Sequence, residues 1–108
     1  MSPRIIVIGG GGHGRVVIDA LLAAGADIAG VVDPDPAIAA RLPRGIPYLG
    51  GDGALGGIAP ASVLLALGIG AVDVPRQRRR IFERYRQLGF RFATVIHPSA
   101  IRATDIEL

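Results

Sequence analysis

The stretch Ile5-Ile6-Val7-Ile8-Gly9-Gly10-Gly11-Gly12-His13-Gly14-Arg15 decides the fold, because an uninterrupted aliphatic run passes through glycines straight into helix-forming sequence. Four consecutive aliphatics suit a strand covered on both faces. Glycines let the backbone turn tightly and bring its N–H groups close to an anion, and a helix start adds unsatisfied donors and the positive end of its macrodipole. The spacing Gly9-x-Gly11-x-x-Gly14 meets the dinucleotide fingerprint, in which the three glycines make the turn, admit the phosphate and allow helix–strand packing. Asp33 closes the next apolar run, Ile28 to Val32, at the separation expected of a carboxylate that accepts ribose hydroxyls.

Beyond this unit, Val63 to Leu67 and Phe90 to Ile96 are further short apolar runs, separated by helix-like segments. That order is βαβ, whose right-handed crossovers make successive strands parallel and place ligands at their carboxyl ends. The expected fold class is α/β: a Rossmann-like parallel sheet of order 3-2-1-4-5 with helices on both faces. A first helix spans about 14–24 with Gly25 as its αL stop, apolar nearly all round apart from the i,i+4 pair Arg15 and Asp19, and is expected to be largely buried. Pro34-Asp35-Pro36 forces a turn, and Ala37 to Leu42 forms a short helix stopped by Pro43. Ile46-Pro47-Tyr48-Leu49 reads as a short edge strand. Asp73 as N-cap and Pro75 open a helix to Leu88, with Ile81, Tyr85 and Leu88 as its inward stripe and Gly89 as its stop.

A chain of 108 residues with 50% hydrophobic content makes one domain with a real core, too short for a two-halved dinucleotide enzyme. All 12 basic side chains are Arg and the net charge is only +3, so basicity gives little reason to expect nucleic acid, and 5% aromatics is sparse for a base-stacking platform. Zero Cys excludes disulfide and thiolate chemistry, and two distant histidines make no metal site. No apolar run reaches membrane-spanning length, and a cytoplasmic location is the default expectation.

The expected ligand contacts are Gly10, Gly11, Gly12, His13 and Gly14 in the loop, Asp33 and Asp35 after the second strand, and Gly68 and Gly70 after the Val63 run, across the switch point. His13 is either a solvent-facing loop residue or a donor to a phosphate or sugar oxygen. Asp33 is either a ribose or base acceptor or the first residue of a solvated turn. The cluster Arg76, Arg78, Arg79 and Arg80 reads first as a solvated face partly neutralised by Glu83, and His97 as a turn or junction residue. Ala100 and Ile106 stand six apart, the period of a β-helix coil, so residues 97–108 are expected to form the junction and first turn of a second domain after a nucleotide-binding domain of residues 1–96.

Ile-Val-Ile-Gly-Gly-Gly-Gly-His-Gly at 6–14, Val-Val-Asp-Pro-Asp at 31–35, Ile-Pro-Tyr-Leu-Gly-Gly at 46–51 and Leu-Gly-Phe-Arg-Phe-Ala-Thr-Val-Ile-His-Pro-Ser-Ala at 88–100 together resemble the N-terminal domain of bacterial sugar O- and N-acyltransferases. The resemblance covers essentially the whole chain. It implies a Rossmann-like domain holding a nucleotide sugar, such as a UDP-linked amino sugar, and a trimeric left-handed β-helix that binds acetyl-CoA and carries a histidine base beyond Leu108. By position, Gly10 to His13 would face the phosphates or sugar, Asp33 and Asp35 the nucleoside, and Gly68 and Gly70 would complete the cleft. This chain has Gly-Ile-Gly-Ala-Val-Asp-Val-Pro-Arg at 68–76 where many relatives have Gly-Asp-Asn followed by Arg, so contacts on that side differ. The alternative reading is an NAD(P)-binding regulatory or oxidoreductase module, for which Gly9, Gly11, Gly14 and Asp33 would suffice.

Overall fold

In a computed structural model, residues 4–9, 12–51, 53–67, 75–97 and 100–103 are described. The strands are β1 (Arg4–Ile8), β2 (Asp27–Val32), β3 (Tyr48–Gly50), β4 (Val63–Leu67), β5 (Arg91–His97) and β6 (Ala100–Ala103), and the helices are α1 (Gly12–Ala23) and α2 (Pro75–Gln87). Spatially the strands run β3-β2-β1-β4-β5-β6. The first five are mutually parallel in the expected 3-2-1-4-5 order, with β6 returning antiparallel along β5.

The side-chain alternation of continuous apolar strands explains the two cores. Ile5 and Val7 of β1 with Leu64 and Ala66 of β4 point to one face, where Val17, Ile18 and Leu21 of α1 cover them. Ile6 and Ile8 with Val63, Leu65 and Leu67 point to the other, where Phe90, Phe92 and Tyr85 of α2 cover them. Successive residues of a strand face opposite sides, so a strand buried on both needs apolar side chains throughout. Phe82 of α2 packs against Phe92 in a tilted ring pair at a centroid distance of 4.8 Å, which fixes α2 against β5.

Two expectations are corrected. Leu88 is 57% exposed rather than inward, because α2 ends at Gln87 and the chain turns at Gly89, taking Leu88 off the helical stripe; half-buried Phe82 packs there with Ile81 and Tyr85. Helix α1 is buried on one face only: Val16 and Leu22 are 62% and 44% exposed, since α1 covers the sheet as an outer layer. Most of the expected junction and first β-helix turn at 97–108 lies outside the described residues; of that stretch, Ala100–Ala103 pair antiparallel with β5 in the register Ala93↔Ala103 to His97↔Ala100.

Other elements agree closely with the sequence. Gly25 ends α1 with φ +75. Pro36–Arg41 forms a 3-10 helix, and Tyr48–Gly50 is the edge strand. Asp73, the expected cap of α2, lies outside the described residues.

Candidate nucleotide site at the carboxyl ends of the parallel strands

Strand register brings three chain segments to one edge. Ile8, the last residue of β1, lies between Val32 of β2 and Leu67 of β4. The chain leaves β2 toward one side of β1 and β4 lies on the other, so the β1/β4 boundary is where the strand order reverses, the place where open α/β sheets bind ligands. Gly9 follows β1 with φ +97, a conformation L side chains rarely adopt, and its N–H donates to the Val32 carbonyl at 2.7 Å. The first residue of the loop is thereby tied to the end of β2.

Gly12 and His13 lie on the first turn of α1, and Gly14 is buried in that turn, as helix–strand packing requires. Gly10, Gly11, Gly68 and Gly70 lie outside the described residues, as does the direction of the His13 imidazole. The start of α1 is braced from the β2 side: the Arg15 guanidinium donates to the Arg41 carbonyl at 3.0 Å and to the Asp19 carboxylate at 3.2 Å.

Asp33 and Asp35 lie next to this loop, on the turn after β2. The Asp33 N–H donates to the Gly50 carbonyl at 2.9 Å, and the Asp33 Oδ1 accepts the Asp35 N–H at 2.8 Å. The Asp35 Oδ1 accepts the Ala37 N–H at 2.9 Å and so caps the 3-10 helix. Asp33 is half-buried and Asp35 exposed. A carboxylate offers roughly four acceptor sites, and each of these intra-turn bonds uses one.

Tyr48 is the side chain at this site to which the sequence assigned no role. Its hydroxyl donates to the Asp33 carbonyl at 2.7 Å. The bond crosses from β3 to the end of β2, a contact set by strand register that spacing along the chain does not reveal. Arg79 and Arg80 of the basic helix are exposed, while the side chains of Arg76 and Arg78 lie outside what is described. Among the described residues no group of His, Cys, Asp or Glu is placed to hold a metal ion. No described helix is long and apolar enough to cross a membrane.

A parallel 3-2-1-4-5 sheet, a glycine turn from β1 into α1 and an acidic turn after β2 together define a Rossmann-like domain, a class whose ligands sit at the carboxyl ends of the strands. Within that class the chain belongs to the PglD N-terminal domain family, which it matches over residues 4–85. It is similar to a point variant of perosamine N-acetyltransferase from Caulobacter crescentus solved with CoA and GDP-perosamine, at 38% identity and TM-score 0.71, over 88% of this chain and 43% of that one. PerB from the same organism, also with CoA and GDP-perosamine, gives 38% identity and TM-score 0.70 over 88% and 42% of the two chains. The acetyltransferase domain of PglB from Neisseria gonorrhoeae, in complex with acetyl coenzyme A, matches at 32% identity and TM-score 0.65 over 91% and 45%. The chain thus spans less than half the length of these relatives. No curated protein matches it.

Proposed function

We propose that this chain is the nucleotide-sugar-binding domain of an acetyltransferase that moves an acetyl group from acetyl-CoA to an amine or hydroxyl of the sugar. The observation that carries the reading is the convergence of the β1–α1 glycine turn and the Asp33 turn at the carboxyl edge beside the switch point, held together by the 2.7 Å bond from Gly9 to Val32. The Caulobacter relatives support it, since both were solved with CoA and an amino sugar linked to a nucleoside diphosphate.

In this reading the loop amides of residues 10–14 and the start of α1 receive the diphosphate, His13 donates to a phosphate or sugar oxygen, Asp33 and Asp35 take the nucleoside, and Gly68 and Gly70 complete the cleft. Fixing the nucleotide leaves the sugar's acceptor group beside the thioester, turning a two-body encounter into a local one. The acceptor nitrogen or oxygen bonds to the acetyl carbon, the C–S bond breaks, and a general base takes the acceptor's proton. Acetyl-CoA supplies the activated acetyl group. Its binding surface and the base belong to a left-handed β-helix domain for which residues 97–108 form the junction and first turn, and the whole protein is a cytoplasmic homotrimer.

Thermal-shift titration against UDP-, GDP- and CDP-linked amino sugars and against NAD tests the proposal. Stabilisation by one or more nucleotide sugars is expected. Stabilisation by NAD alone would overturn it in favour of the dinucleotide reading.

A further inference from the structure

Asp33 stands just past β2, where the ladder ends, yet both of its backbone polar groups are bonded to the edge strand. Its N–H donates to the Gly50 carbonyl at 2.9 Å, and its C=O accepts the Tyr48 hydroxyl at 2.7 Å. The carbonyl belongs to the Asp33–Pro34 peptide, which has no N–H of its own to give. The direction of that carbonyl is set by ψ of Asp33, so the Tyr48 bond pins ψ while the Gly50 bond holds the amide side. Beyond it, Pro34 and Pro36 fix their own φ angles, and the residue before each proline is restrained to extended backbone. Pro34 thus confines ψ of Asp33 to the extended range, and within that range the Tyr48 bond sets the angle at which the turn leaves the sheet. The Asp33 Oδ1 accepts the Asp35 N–H at 2.8 Å, a donor which that same turn places.

We infer that Tyr48 is a positioning residue for the nucleotide: acting through the Asp33 carbonyl, its hydroxyl sets the angle at which the Asp33 carboxylate is presented to the nucleoside. The inference rests on the proposed function and deepens it. A phenol in a half-buried site keeps a partner for its hydroxyl in any case. What gives this bond its role is the partner, the carbonyl at which the acidic turn leaves β2.

The test is a double-mutant cycle on this chain, read by calorimetry with GDP and UDP, following whichever binds more tightly. Tyr48→Phe removes the hydroxyl and is expected to weaken that nucleotide about fivefold, the size of one net hydrogen bond, with the far-ultraviolet circular dichroism spectrum unchanged. Asp33→Ala removes the carboxylate but keeps the carbonyl that Tyr48 holds. In that background Tyr48→Phe should cost nothing further, because the group it positions is gone. Pyrophosphate, which lacks the nucleoside, should bind wild type and Tyr48→Phe alike. An equal loss in both backgrounds, a matching loss of pyrophosphate affinity, or no loss in the wild-type background would overturn the inference. Failure of the wild-type chain to bind either nucleotide would instead bring down the proposed function, and this inference with it.

Discussion

Leu49 of β3 occupies the space that a side chain on Gly30 of β2 would need: a Cβ there would lie 2.6 Å from the Leu49 Cγ and within 2.9 Å of both of its methyl carbons. The Leu49 side chain is packed against the α2-side core, with Ala29, Val32 and Leu55 among the residues of that cluster. Gly30→Ala therefore forces Leu49 out of its seat, and a loss of about 1–3 kcal/mol in urea unfolding is expected, as for other overpacked sites. Adding Leu49→Ala should make Gly30→Ala nearly neutral relative to the single Leu49→Ala variant. A Gly30→Ala protein as stable as the parent would contradict this packing.

Phe92 is fully buried on β5 and packs against half-buried Phe82 at a centroid distance of 4.8 Å. Phe92→Ala should cost about 3–5 kcal/mol of unfolding free energy. Phe82→Ala should cost clearly less, because that ring already meets solvent. Equal costs measured by denaturant titration would place α2 differently on the sheet.

Asp35 caps the 3-10 helix through the 2.9 Å bond from the Ala37 N–H. Asp35→Ala is expected to cost about 1 kcal/mol, and Asp35→Asn much less, since an amide oxygen accepts the same bond. Thermal melts of the two variants that coincide would show that the cap contributes nothing.

Arg4 and Asp27 form a 3.1 Å ion pair across the starts of β1 and β2, with side chains 59% and 56% exposed. Water and salt screen such a pair, so Arg4→Ala should change stability by less than about 0.5 kcal/mol, and by less still at 1 M NaCl. A larger, salt-independent loss would mean the arginine acts through packing of its alkyl stem instead.

Much of this architecture is legible in the sequence, and the residues show why. Val63 to Leu67 reads as a strand and is one, residue for residue, while β1 and β2 begin one residue before their aliphatic runs and β5 is shifted one residue along from the Phe90 to Ile96 run. The order 3-2-1-4-5 follows from βαβ alternation, since right-handed crossovers leave few other arrangements. Leu88 misleads because helical periodicity says nothing about where a helix stops, and α2 ends at Gln87, one position before the stripe would be completed. The exposure of Val16 shows the same limit in α1, whose composition is apolar but whose outer face meets no other described layer. At the site, Asp33 and the Gly9 turn are visible from strand ends and spacing. The bond of Tyr48 to Asp33 is not, because it joins residues 15 apart through a β2–β3 register that shifts between Val31 and Val32.

In the proposed function, the glycine turn between β1 and α1 receives the diphosphate of a nucleotide sugar. Isothermal titration of GDP- and UDP-linked amino sugars into the wild-type chain and into Gly11→Val tests it most directly, with circular dichroism to establish that both are folded. Binding by the wild-type chain and its loss in a folded Gly11→Val variant is the expected result, since a branched side chain keeps a phosphate away from the loop amides. Undiminished affinity in that variant would contradict the claim.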